Sequence, residues 1–115
     1  MIDRVIAYTA ALNRFDLDAV EMMFAENAIY ISGGHGGAFH GRQAITQALR
    51  EYLAEHPNQV AVDKHLKKIG FNDVQSDWTL TATNTRTGKS ILRRGIQVFT
   101  FNDEGQIRVV QVLDF

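Results

Sequence analysis

Apolar residues recur at helical spacing along this chain up to Pro57 and at every second position beyond it. Val5, Tyr8, Leu12 and Phe15 share one face of a first helix. Asn13 and Asp16 are breakers, and Asp16 is placed to cap a second helix carrying Leu17, Val20, Met23 and Phe24 on one stripe. Ala28 to Ile31 is a short β-type run. Gly33, Gly34, Gly36 and Gly37 predict a flexible loop around His35, a mobile lid or rim. Ile45, Ala48, Leu49, Tyr52 and Leu53 define a third helix, which His56-Pro57-Asn58 ends.

After Pro57 the period of two predicts strands at Val60 to Ile69, Asp77 to Arg86, Ser90 to Phe101 and Gln106 to Phe115. Thr87-Gly88-Lys89 and Asn102-Asp103-Glu104-Gly105 are the turns between the last three. Three helices followed by an antiparallel meander make an α+β fold. The expected form is a cone: a curved antiparallel sheet wrapped around the three N-terminal helices (a cystatin-like roll), with a cavity at its open end.

Alternation then sorts the strand residues into two faces. With Trp78, Leu80, Ala82 and Asn84 taken as inward, the inward set on the other strands is Ala61, Asp63 and His65; Ile91, Arg93, Gly95, Gln97 and Phe99; and Val110, Val112 and Asp114. A single bulge inverts such an assignment downstream of itself.

Bulk properties narrow the classes. One domain spanning residues 1–115 is expected at this length, with one core. Twelve basic against thirteen acidic residues give a net charge of −1, which argues against a nucleic-acid partner. The absence of cysteine removes disulfides, thiolate nucleophiles and cysteine-bound zinc. No apolar run approaches the roughly 20 residues of a membrane span and no signal peptide is visible, so a cytoplasmic protein without a membrane partner is expected. The glycine run lacks the Gly-Lys-Ser/Thr of a phosphate loop. His35 and His40 have no carboxylate nearby in sequence and predict no metal site.

The order α-α-β-loop-α-β-β-β, with Ala11-Leu12-Asn13 ahead of Asp16-Leu17-Asp18 and Phe24-Ala25-Glu26-Asn27-Ala28, resembles the nuclear transport factor 2-like superfamily. The ketosteroid isomerases and SnoaL-like polyketide cyclases are the branches it resembles most. The isomerases' oxyanion-hole tyrosine matches Tyr8, and their protonated second donor falls on Gln97, whose amide donates without titrating. Their aspartate base falls on Ser32. Between Glu26 and Glu51 there is no acid at all, and an unassisted hydroxyl cannot take a proton from carbon. The cyclases' acid/base aspartate and histidine correspond to Asp114 and His65.

The resemblance implies a cofactor-free, metal-free pocket for a compact apolar molecule. Tyr8, His65 and Asp114 are the catalytic candidates; Asp63, Trp78, Asn84, Arg93, Gln97 and Phe99 are the substrate-binding ones. Three functions follow. The first is an isomerase, cyclase or dehydratase working by general acid–base chemistry with Asp114 or Asp63 as base. The second is a non-catalytic small-ligand binder in the same cone. The third is an interaction domain, with a homodimer through the outer sheet face. Each residue also has a structural reading: Tyr8 as a packing tyrosine, Asp63 and His65 as an exposed edge pair, Asp114 as a frayed terminus, and Arg93 in a surface ion pair.

Overall fold

The computed structural model describes residues 1–33 and 37–115. Its elements run α1 (Ile2–Asn13), α2 (Leu17–Met23), β1 (Phe24–Ser32), β2 (Gly37–His40), α3 (Arg42–Glu55), β3 (Val60–Lys68), β4 (Asp73–Thr83), β5 (Ser90–Phe101) and β6 (Ile107–Asp114). The six strands form one sheet in the order β2-β1-β6-β5-β4-β3. It is the curved, unclosed sheet of the expected α+β class, with β2 and β3 at its edges. All neighbours are antiparallel except β1 and β6, which run parallel because the chain crosses the whole sheet between them.

The helices cover the concave face. α1 lies on β3, α3 lies on β1, and α2 joins the two helices at one end. Asp16 caps α2 as its position predicts, its Oδ1 accepting from the Ala19 amide at 3.1 Å. Asn13 does more than end α1: its amide donates to the Ala61 carbonyl and accepts the Ala61 amide, both at 2.8 Å. This clamp ties α1 to the edge strand just where β3 begins to face the interior. The core is built from the inner faces, with Val5, Val20, Phe24, Ile45, Val74, Phe99, Ile107 and Val110 all but sealed from water. Each large one stabilises the fold by about 1.5–3 kcal/mol through burial.

Several expectations are corrected. β1 begins four residues before the predicted run, at Phe24, which the sequence pattern assigns to the α2 stripe. Phe24 and Ala25 are both buried and the β1–β6 register shifts here, so the strand start carries no clean alternation. Gly37–His40 pairs with β1 instead of belonging to a loop; Gly34, His35 and Gly36 lie outside the described residues. β4 spans Asp73–Thr83 because Asn84 nucleates the turn that follows it. The Asn84 Oδ1 accepts from the Arg86 and Thr87 amides.

Candidate active site

A cavity opens between α1, α3 and the inner faces of β1, β3, β4, β5 and β6. Its wall is mostly apolar, with Leu12, Leu49, Leu53, Leu80 and Val112, and aromatic, with Tyr8, Tyr30, Tyr52 and Trp78. The polar groups in the wall are Thr9, Gln59, Asp63, Arg93 and Gln97. The free space within it is about 60 Å³.

Cross-strand register explains how the polar groups arrive there. Asp63 stands opposite Trp78, Trp78 opposite Gly95, and Gly95 opposite Asp114, so these four make one inward row across the sheet. Two carboxylates therefore sit at its ends, three strand spacings or roughly 14 Å apart. Gly95 in the middle is obligatory: a Cβ there would stand 1.8 Å from the Leu113 carbonyl oxygen.

The Asp63 end is polar without being ionically paired. Its Oδ1 accepts from Ser76 Oγ at 2.6 Å and from Gln97 Nε2 at 2.9 Å, both from the row beside it. Its Oδ2 accepts from Thr9 Oγ1 on α1. No Lys, Arg or His of the described residues forms an ion pair with Asp63. A carboxylate has about four acceptor positions, so one on Oδ2 is left over.

The Asp114 end is different. Both its oxygens are taken by Arg93, at 2.7 Å from Nε and 3.0 Å from Nη2. Arg93 Nη1 also donates to the Tyr52 hydroxyl at 3.3 Å, and its guanidinium lies 5.4 Å from the Trp78 ring centre. The Arg93 side chain is 17% exposed and that of Asp114 32%. Partial burial works against the arginine's charge, but the bonds to Asp114 and Tyr52 outweigh it and hold its pKa above the ordinary value.

Tyr8 is 2% exposed and packs edge-to-face on Phe24 and Phe99, ring centres 5.7 and 5.5 Å away. Burial first, then the neighbouring Tyr30 and Asp63, push its pKa well above the ordinary value. It is thus a hydroxyl that keeps its proton. Burial likewise pushes Tyr30 up to about 12; Arg93 opposes this, while Tyr52 and Asp114 add to it.

Of the residues singled out from sequence, Tyr8, Asp63, Trp78, Arg93 and Gln97 line the cavity. The others do not. His65 is corrected most sharply. A bulge between Lys64 and Lys67 gives it a φ of +53° and turns it outward, 78% exposed, where Nδ1 meets Asp77 Oδ2 at 2.7 Å. Leu66 takes the inward position instead. Asn84 belongs to the β4–β5 turn and to His56, whose Nε2 lies 3.3 Å from Asn84 Nδ2. Phe99 is sealed in the core behind Tyr8. Asp114 reaches the cavity only through Arg93. Ser32, at the position of the isomerases' base, is fully buried and is not in the cavity wall.

Thr9, Ser76, Tyr30, Tyr52 and Gln59 were not among the sequence candidates. Ser76 precedes the strand predicted to begin at Asp77, and Tyr52 is indistinguishable from a packing residue on the α3 stripe. Two buried atoms in the cavity wall make no hydrogen bond to protein: the Gln59 Oε1 acceptor and the Trp78 Nε1 donor. Among the described residues no helix is long and apolar enough to cross a membrane.

Comparison with known proteins sharpens the fold assignment. Comparison with curated protein sequences gave no match. Bal32a, from a soil-derived mobile gene cassette, superposes with a TM-score of 0.89 at 26% identity, over 98% of this chain and 87% of that one. SalBIII, described as an epoxide hydrolase/cyclase-like enzyme in pyran ring formation of the polyether salinomycin, superposes with a TM-score of 0.86 at 22% identity, over 98% and 88%. A Mycobacterium tuberculosis protein in complex with estradiol-17beta-hemisuccinate gives a TM-score of 0.83 at 11% identity, over 95% and 88%. The family model for the SnoaL-like domain matches residues 5–110. With nearly its whole length matched, the chain belongs to the SnoaL-like domain family, on the nuclear transport factor 2-like fold.

Proposed function

We propose that the cavity is a small-molecule site at which Asp63 acts as the general acid–base of a cofactor-free isomerase, cyclase or dehydratase. The observation that carries this reading is the Asp63 carboxylate itself: held by three neutral donors, matched by no cation among the described residues, with an acceptor position left on Oδ2 inside an aromatic and aliphatic wall. In this reading Asp63 takes a proton from carbon beside a carbonyl. Tyr8, kept protonated, donates a hydrogen bond to the carbonyl oxygen as negative charge builds on it. In an isomerase the proton then returns from Asp63 to a second carbon and no atom is lost; in a dehydratase it passes to a β-hydroxyl, which leaves as water.

Gln97 has a different part from the oxyanion donor that the resemblance implies, because its amide is engaged in fixing Asp63. Asp114 moves from base to positioning residue: it holds Arg93 across the cavity wall. The SalBIII description as cyclase-like and the ligand held by the M. tuberculosis protein support chemistry or binding in such a cone. The largely apolar wall favours an apolar molecule.

The test is a thermal-shift screen with compact cyclic ketones, enones and phenols, followed by a search for product by mass spectrometry. A ligand at a hundred times its Kd adds about 2.7 kcal/mol and several degrees. A hit with conversion supports the enzyme; saturable binding without conversion replaces it with a binder; no binding across the panel rejects the pocket.

A second reading concerns the other sheet face. Val60, Val62, Leu92, Leu113 and Phe115 are exposed there, and Ile96 lies beside Leu113. This apolar face favours a homodimer through the outer sheet. Sedimentation should give the dimer mass, and Leu92→Glu should shift it to monomer; a wild-type monomer at high micromolar concentration rejects it.

A further inference from the structure

The cavity carries an unbalanced charge. Arg93 is the cation of its wall, and its charge is answered by both oxygens of Asp114. Asp63 is answered by hydroxyls and an amide alone. Among the described residues the Asp63 carboxylate therefore has no counter-charge, in a half-buried setting where charge interactions are stronger than in bulk water. A ligand carboxylate or phosphate placed there meets repulsion, whereas a cation supplies the missing charge.

The spare hydrogen-bonding capacity points the same way. On the inward face of β3 and the residue before it, Gln59, Ala61 and Asp63 alternate. Gln59 Oε1 is buried without a donor, and Asp63 Oδ2 has an acceptor position left. These two unfilled positions are acceptors and fit a ligand that donates, while the unfilled Trp78 Nε1 donor across from them fits an acceptor elsewhere on the same ligand. The aromatic wall adds apolar surface for the substituents of a cation, although one face of Trp78 already carries the Arg93 guanidinium and one face of Tyr52 stacks on His56.

We infer that the ligand of this cavity is a compact apolar amine, protonated at neutral pH, whose ammonium N–H lies against Asp63 Oδ2 inside the aromatic wall. This rests on the small-molecule reading of the cavity and adds the chemical class. Asp63 then holds the ammonium, with the carbon skeleton on Leu12, Leu49, Leu80 and Val112; so engaged it is not the base, and the amine needs the small-molecule cavity but not the proton-abstraction step.

Matched probes test it. N,N-Dimethylcyclohexylamine and cyclohexyl methyl ketone have nearly the same shape and differ in charge. Calorimetric titration of the wild-type protein at pH 7 should give an amine Kd about tenfold or more below that of the ketone, the size of one charge-assisted hydrogen bond. In Asp63→Asn the amine-to-ketone ratio should fall to about one. Equal or tighter ketone binding by wild type overturns the amine class and leaves the small-molecule cavity standing. Binding of neither probe overturns both. The wild-type comparison decides the point even where the variant fails to fold.

Discussion

The two ends of one row across the sheet invite comparison. Asp63 and Asp114 face the same way, share Trp78 and Gly95 between them, and look alike in sequence. Yet one is surrounded by Thr9, Ser76 and Gln97, and the other is gripped by an arginine. A carboxylate with both oxygens in a bidentate arginine pair has little left to offer a substrate. One held by neutral donors keeps its charge available. The difference teaches that neighbours in the adjacent row, more than the acid's own position, decide which of two similar acids keeps an acceptor position to spare.

The largest way to break the comparison is to neutralise each acid in turn. Asp63→Asn keeps the shape and removes the proton acceptor, so turnover should fall by about 10²–10⁴ in a steady-state assay, the usual contribution of a positioned general base. Asp114→Asn should leave turnover within about tenfold while lowering stability by about 1–3 kcal/mol, because Arg93 loses its counter-charge in a half-buried setting. Reversed effects on turnover would move the chemistry to the Asp114 end.

Alkaline unfolding sharpens the contrast through the tyrosines. Tyr30, about 12 in the folded protein against 10.0 ordinarily, and Tyr8, also raised, hold their protons longer folded than unfolded. Their contribution is complete below pH 10 and is lost as pH rises from there, towards 12 for Tyr30, because the unfolded chain gives up those protons first. For Tyr30 this is about 2–3 kcal/mol. Chemical denaturation at stepped pH should show the decline. In Asp63→Asn, Tyr8 should titrate earlier, since one of the groups raising it is gone; an unchanged alkaline limb would mean that the Asp63 charge is not felt at Tyr8.

The smallest expected effect is at His65. His65→Ala should change stability by no more than about 0.5 kcal/mol and leave turnover unaltered, as for an exposed side chain outside the site. A large loss of turnover would restore it to the chemistry.

The same particulars show what could be read before the structure. Ser90–Phe101 was expected at its true bounds because turn residues flank it and its apolar alternation is unbroken. The third helix and the Asp16 cap were legible for similar local reasons. His65 was misplaced because the bulge that turns it outward carries no mark in the sequence; a positive φ at histidine follows from no neighbouring residue type. The β2 strand was hidden because Gly37–His40 is too short to alternate. The Asp63 site itself was half legible. Alternation pointed Asp63, Arg93 and Gln97 inward, but Thr9 and Ser76 are hydroxyls of ordinary appearance, and only cross-element contact reveals that they hold the acid. The pairing of Arg93 with Asp114 was equally hidden, since it runs diagonally between rows.

The central claim, that Asp63 and not Asp114 meets the ligand, is tested most directly by carbon-13 NMR of the aspartate side-chain carboxyls. On saturation with a ligand from the thermal-shift screen, the Asp63 Cγ resonance should move and that of Asp114 should stay within its Arg93-bound position. Movement of Asp114 with a stationary Asp63 would contradict the account.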